Sequence, residues 1–381
     1  MGEHCKRNNE SFRESSMKVL QINKYYYPVI GGIENHLKLL CEEISKKIEV
    51  SVLVSNIKAK TEVEKYNNLE IVKIASLGKL FSMPLSPSFP VWLKKINADI
   101  LHFHHPFPIG MFSYLIAKPK GKIVLTYHSD IVRQKFTGGL FAPVLNSFMK
   151  KADCIIATSP NLIESSPILK NYKEKCRVIP LGIDVEKFKL KQNMEKIHCI
   201  QNKFKNKIVL FVGRLIYYKG LEYLIKSIPK INAHFVLIGD GPLKNNLKQI
   251  AKDLQVENKI TFLESMDEDE LISYYWACDL FVLPSIANSE AFGIVQLEAM
   301  TCGKPVVSTN LPTGVSFVNL HQKTGLVVTP KNSDALAQAI NTLLEREELR
   351  KEYGENAKQR VEKEFTKEKM VDRILKLYNE I

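Results

Sequence analysis

Arg214 and Lys219 stand five residues apart in GRLIYYKGLEYL, where an apolar run gives way to a helical pattern. A guanidinium fork and an ammonium point charge beside a helix N-terminus suit a diphosphate. Glu290 and Glu298 are separated by seven residues in SEAFGIVQLEAM, an otherwise apolar run. Carboxylates are seldom buried without partners, so this pair demands some. His128 follows KIVLTY and precedes Ser129, Asp130, Arg133 and Gln134, a polar cluster suited to substrate binding. It is not a hydrolase triad, because adjacent residues do not make one and no GxSxG elbow occurs.

Other stretches are less committed. In HFHHP, strand alternation puts His102 and His104 on one face. Packing or substrate contact is favoured there over a metal, because no carboxylate stands nearby to complete a ligand set. Gly31-Gly32 in NKYYYPVIGGIENHL fits a backbone approach to phosphate or a plain turn. The absence of GxGxxG argues against a nicotinamide cofactor. IGDGPLKNNL reads as a tight turn of mainly structural purpose.

These residues need strands to carry them. KVLQIN (18–23), VSVLVS (50–55), DILHFH (99–104), KIVLTY (122–127) and DCIIAT (153–158) read as buried strands. Ile33, Leu37, Leu40, Ile44 and Ile48 recur at helical spacing between the first two. The alternation restarts at KIVLFV (207–212) and continues through HFVLIG, KITFLE, DLFVLP and KPVVST to TGLVVTP (324–330). Strand–helix alternation implies parallel sheets covered on both faces. Two such series, joined near IPLGIDVEKFKL (179–190), predict two Rossmann-like doubly wound α/β domains facing one another across a cleft. Ligands then belong in the loops after the strands.

The chain has 381 residues, 45% hydrophobic and 25% charged, which are globular values. No apolar run is long enough to span a bilayer, and MGEHCKRNNESFRESS lacks a signal-peptide core, so residues 1–16 read as a disordered extension. The seven cysteines are scattered without CxxC spacing, which argues for reduced thiols in a cytoplasmic protein and against a zinc site. Residues 1–190 hold 28 Lys+Arg against 17 Asp+Glu, a surplus of 11, within a net charge of +13. That half expects an anionic partner, and no nucleic-acid-binding motif makes the partner a nucleic acid.

GRLIYYKG, IGDGP, SEAFGIVQLEAMTCGKPVV and TGLVVTPKNSDALAQAI, in this order, resemble family 4 of the retaining glycosyltransferases. The resemblance runs from Met17 to Ile381 and is densest over 207–345. It implies the GT-B fold: an acceptor-binding domain (17–185), a nucleotide-sugar-binding domain (186–365) and a terminal helix (366–381) returning to the first. It further implies that Arg214 and Lys219 hold the donor diphosphate, Glu298 the ribose and Glu290 the donor sugar. By the same resemblance, the backbone of Phe292, Gly293 and Ile294, with Gly32 opposite, caps the phosphates, and His128 contacts the sugar near the reacting carbon. No metal or other cofactor is implied. His104, Asp130 and Arg133 are left as acceptor-side candidates.

Two departures stand out. Pro180-Leu181-Gly182 replaces a frequent Pro-Asn-Gly, and TNLPTGVSFVN (309–319) replaces a Gly-Gly segment bearing a glutamate. A similar segment occurs in mannosyl- and rhamnosyltransferases of bacterial surface polysaccharides. GDP-mannose is therefore the first expected donor, ahead of a UDP-sugar, with a lipid-linked glycan as acceptor. The alternatives are a sugar-nucleotide 2-epimerase of the same architecture and a non-catalytic sugar-nucleotide-binding protein. Peripheral attachment to the inner, anionic face of the cell membrane is a further expectation. Leu80, Phe81, Trp92 and Leu93 among lysines 79, 94 and 95, and Phe136, Leu140, Phe141 and Phe148 ahead of Lys150 and Lys151, would serve it or fill the core.

Overall fold

The computed structural model describes residues 17–29, 31–80, 83–130 and 135–381, the side chains of Leu80 and of residues 135–140 excepted. The expected extension 1–16, the acceptor candidate Arg133, and Phe81 lie outside the described residues, as do the side chains of Phe136 and Leu140.

The β-branched runs form strands because both faces of each are covered. The first series is β1 (Lys18–Ile22), β2 (Glu49–Ser55), β3 (Glu62–Tyr66), β4 (Leu69–Ile74), a small hairpin β5 (Lys79–Leu80) and β6 (Met83–Pro84), β7 (Ile100–His105), β8 (Lys122–Tyr127), β9 (Cys154–Ala157) and β10 (Cys176–Val178). The second is β11 (Ile208–Val212), β12 (His234–Ile238), β13 (Ile260–Leu263), β14 (Leu280–Leu283), β15 (Val306–Thr309) and β16 (Gly325–Val328). Their orders are β10-β9-β8-β7-β1-β2-β4-β3 and β13-β12-β11-β14-β15-β16. Both contain the doubly wound order, with chain direction across the sheet reversing beside β1 and β11 respectively.

One expectation needs correction. The first sheet is not wholly parallel, since β3 pairs antiparallel to β4 through a hairpin turning at Asn67, which has φ 51°. EVEKY is an edge strand with Val63 and Tyr66 exposed, so it lacks the apolar signature of its neighbours. The first helix, α1 (Gly32–Ile44), also stops a turn before Ile48.

The chain crosses between the sheets twice, and the crossings touch. Ile183 donates its N–H to Phe365 O at 2.9 Å, and Lys367 donates its own to Ile183 O at 2.9 Å. A Cβ on Gly182 would sit 2.5 Å from Thr366 O, which accounts for glycine in Pro-Leu-Gly. Beyond the crossing, the helix Lys367–Glu380 buries Met370, Val371, Ile374, Leu377 and Tyr378 in the same cluster as Val19, Val50 and Val52 of the first sheet. Lys367 ties the junction by ion pairs to Asp184 (2.7 Å) and Glu43 (3.2 Å).

Candidate functional site

The loops that follow β11 and β14 meet where the second sheet reverses, the place where such sheets bind ligands. Lys219 ends the short turn after β11, and Glu290 lies in the loop after β14. Their side chains form an ion pair of 2.6 Å, each about nine-tenths buried. Ser285 donates to the same Glu290 oxygen at 3.0 Å. Gly220 allows this approach: at φ +66°, any Cβ there would sit 2.1 Å from Pro284 O. The ammonium of Lys219 also lies against Gly213, 3.4 Å from where a Cβ would be. The Gly239–Gly241 turn packs on the same loop, with Leu215 donating to Asp240 O at 2.9 Å. Arg214 is exposed and near Tyr218, whose hydroxyl burial pushes up to about 12.

The segment TNLPTGVSFVN braces the Glu290 loop from behind. Thr309 Oγ1 donates to Ser285 O (2.5 Å), Thr313 Oγ1 to Glu290 O (2.8 Å), and Gly314 N to Ala291 O (2.8 Å). Gly293, at φ +73°, caps the helix Ile294–Thr301, whose first N–H groups a helix leaves free. Leu297 and Met300 of that helix are buried, with Ile294 partly so. Glu298 is half-buried and accepts from Tyr275 OH at 2.5 Å. Burial raises its carboxyl above the usual range, partly offset by that hydroxyl. Glu290 and Glu298 thus both already have partners within the chain.

In the first sheet, β7 lies between β1 and β8, which brings Gly32 after β1, His104 at the end of β7 and His128 after β8 to one end. Gly31 caps α1, and a Cβ there would strike the Glu34 carboxylate (2.2 Å), so this carboxylate lies at the helix N-terminus. Gly32 is exposed, with nothing within 4 Å of its would-be Cβ. His102 and His104 do share a face, stacked at 4.6 Å.

A hydrogen-bonded chain runs inward from His128. His128 Nε2 lies 3.1 Å from His104 Nδ1, and His104 Nε2 lies 2.9 Å from Gln21 Oε1. Gln21 Nε2 donates to Tyr378 OH (2.9 Å), which lies 2.6 Å from His102 Nδ1; His102 Nε2 meets Thr126 Oγ1 at 2.7 Å. His104, an acceptor-side candidate, is 1% exposed with both ring nitrogens engaged. Burial drives every ring here towards neutrality: His36 falls to about 4, His102 and His105 to about 3, and His104 and His128 well below the usual range. Asp130 accepts from Tyr127 OH and Ser166 Oγ, both at 2.7 Å. With His105 it forms the polar end of a cavity of about 230 Å³ lined by Met111, Phe141, Val144 and Leu145.

Sequence reasoning against a metal rested on the want of further ligands near HFHHP. The fold supplies them from elsewhere: His36, His104 and His128 each offer a ligand atom within 4.8 Å of the others. The overlooked signal was His36 itself, a polar residue on the apolar stripe of α1.

Two doubly wound sheets with ligand-binding loops at their reversal points define the GT-B class of nucleotide-sugar enzymes. The chain belongs to glycosyltransferase family 4. It matches Glycosyltransferase Family 4 over residues 30–187 and Glycosyl transferases group 1 over residues 193–360. It is 33% identical to O-antigen chain mannosyltransferase C of Escherichia coli, over 95% of this chain and 98% of that one. It is also 33% identical to the D-rhamnosyltransferase WbpZ of Pseudomonas aeruginosa, over 92% of each. HepE from Anabaena, solved in complex with UDP, superposes with a TM-score of 0.78 at 22% identity, covering 96% of this chain and 100% of that one. The protein is a glycosyltransferase, a hexosyltransferase by its relatives, and neither the epimerase nor the non-catalytic reading is favoured.

Proposed function

We propose that this glycosyltransferase moves a hexose from GDP-mannose to a lipid-linked glycan, with retention of configuration and without a metal. The observation that carries the reading is the buried Lys219–Glu290 pair at the reversal point of the second sheet. A cation held there by a carboxylate is pre-organised for a departing diphosphate, and it needs no reorganisation as charge develops. Arg214, exposed on the same loop, closes on the phosphates from outside, and the N-termini of the helix at Ile294 and of α1 at Gly32 add partial positive charge. Ribose hydroxyls then take Glu298, and donor-sugar hydroxyls share Glu290. His128, neutral, donates or accepts near the reacting carbon without bringing a charge of its own.

The mannosyl- and rhamnosyltransferase relatives support a GDP-sugar, whereas the UDP complex of HepE keeps a UDP-sugar as the second candidate. The basic surplus of residues 1–190 supports an anionic acceptor or surface. Among the described residues no helix is long and apolar enough to cross a membrane. Leu93 and Phe148 are fully buried, so they fill the core rather than face lipid. Exposed Val91, Phe112 and Ile116 on the packed helices Phe89–Lys95 and Pro108–Ala117, beside Lys94 and Lys95, are better placed for a headgroup boundary. Thermal-shift titration against GDP-, UDP- and ADP-sugars tests the donor, since a ligand of the folded state raises its stability. GDP-mannose is expected to give the largest shift; a larger shift from another sugar nucleotide would displace it.

A further inference from the structure

We propose that His36, His104 and His128 form a binding site for one transition-metal ion of the zinc class, and that this ion inhibits transfer by capturing His128. The inhibitory half rests on the function proposed above; the binding half does not.

The three imidazoles come from α1, the end of β7 and the residue after β8, and a ligand atom from each lies within 4.8 Å of the others. They are 4%, 1% and 4% exposed. His36 has no hydrogen-bond partner on either ring nitrogen. Buried polar atoms are nearly always partnered, and an ion would partner one of these. The state of His104 follows from its neighbours. Gln21 Nε2 donates to Tyr378 OH, so Gln21 presents its oxygen to His104 Nε2, which must carry the proton. His104 Nδ1 then presents its lone pair to His128 Nε2 as a hydrogen-bond acceptor. A ring nitrogen whose opposite N–H is anchored on a carbonyl oxygen is the usual arrangement of a ligating histidine.

The spacing suits coordination. Nitrogens bound to one tetrahedral ion lie about 3.3 Å apart, given metal–nitrogen distances near 2.0–2.1 Å. His104 and His128 already stand at 3.1 Å. With every pair inside 4.8 Å, assembly needs at most about 1.5 Å of closure. Three imidazoles without a carboxylate select Zn²⁺, Co²⁺, Ni²⁺ or Cu²⁺ over Mg²⁺ or Ca²⁺. The ion replaces the His104–His128 hydrogen bond, with the bridging proton passing from His128 Nε2 to its other ring nitrogen, and turns His128 away from its catalytic use.

The test uses the full chain, stripped with a chelator and titrated with Co²⁺ and Zn²⁺, following Co²⁺ absorption, calorimetry and transfer rate. One ion per chain with tetrahedral Co²⁺ bands is expected, together with loss of activity as the site fills. His36→Leu should lose that ion and its inhibition, keep wild-type melting within a few degrees, and turn over normally in metal-free buffer. His36→Gln serves as a second probe should the leucine perturb folding, and should also lose the ion. No stoichiometric ion in the wild type, or undiminished binding by both variants, overturns the site. His36-dependent binding that leaves transfer unaffected overturns the inhibitory half, and with it the placement of His128 at the reacting centre.

Discussion

Replacing Lys219 with alanine should damage stability and catalysis together, and the structure sets the size of each effect. The Lys219 ammonium and Glu290 carboxylate lie 2.6 Å apart, each side chain about 10% exposed. At an effective dielectric near 20, their attraction is about 6 kcal/mol, largely offset by several kcal/mol of desolvation per ion. The pair as a whole is therefore close to neutral for stability, but breaking it is not. Lys219→Ala leaves Glu290 buried with Ser285 as its hydrogen-bond donor, which should cost about 3–5 kcal/mol. Glu290→Ala should cost a similar amount by stranding the lysine. The double variant Lys219→Met/Glu290→Leu should cost far less than the sum, because no charge is left unpaired. Transfer should follow a different rule: kcat/KM falls about 10²-fold or more in each single variant and stays low in the double. Urea unfolding and initial rates on the same four proteins separate the two. Additive losses of stability, or near-normal turnover in Lys219→Ala, would refute the reasoning.

Further predictions concern the histidines and the basic face. His36, His102, His104, His105 and His128 all bind protons more weakly when folded, so their contribution is fully present above pH 6.5 and is lost as pH falls towards the native values of about 4 for His36 and about 3 for His102 and His105. Urea midpoints should drop from pH 7.5 to 5.5, at up to about 1.4 kcal/mol per pH unit for each histidine titrating only when unfolded; a flat profile would contradict this. Tyr378→Phe removes the hydroxyl that joins Gln21 to His102. It should cost about 1–3 kcal/mol and lower kcat more than it raises KM, whereas an unchanged kcat would detach the terminal helix from His128. Vesicle co-sedimentation should require anionic lipid and fail in high salt, and Lys94→Glu/Lys95→Glu should weaken it by more than about 1 kcal/mol per residue, since each reversal removes one attraction and adds a repulsion. Equal binding to neutral vesicles would remove the electrostatic account.

The strands and the loops that follow them were legible because a doubly wound sheet writes each buried strand as an apolar run. That is why the sequence alone puts Arg214 and His128 at strand ends and Lys219 at the head of the helix that follows. Partnership was not legible. Lys219 and Glu290 are 71 residues apart and meet only because β11 and β14 are neighbours in space though not in sequence. The hairpin β3–β4 escaped notice because an exposed edge strand has no reason to be apolar. His36 was passed over among the leucines of α1, although its place on a buried stripe marked it as needing a partner. At Leu93 and Phe148 the core alternative holds, a choice the sequence left open because amphipathic periodicity does not say which face the core takes. Thr309 and Thr313 were unreadable as braces, since their acceptors are backbone carbonyls that only the folded loop presents.

Retention and metal independence of transfer from a sugar nucleotide are read together in one anomeric analysis of the product. The purified chain, in excess EDTA, is given a sugar nucleotide and a lipid-linked glycan, and the new linkage is read by proton NMR. Nucleotide release is expected only when acceptor is present, undiminished by EDTA, with a product of the donor's own anomeric configuration. An inverted linkage, activity restored only by Mg²⁺ or Mn²⁺, or donor consumed without acceptor would contradict the proposed function.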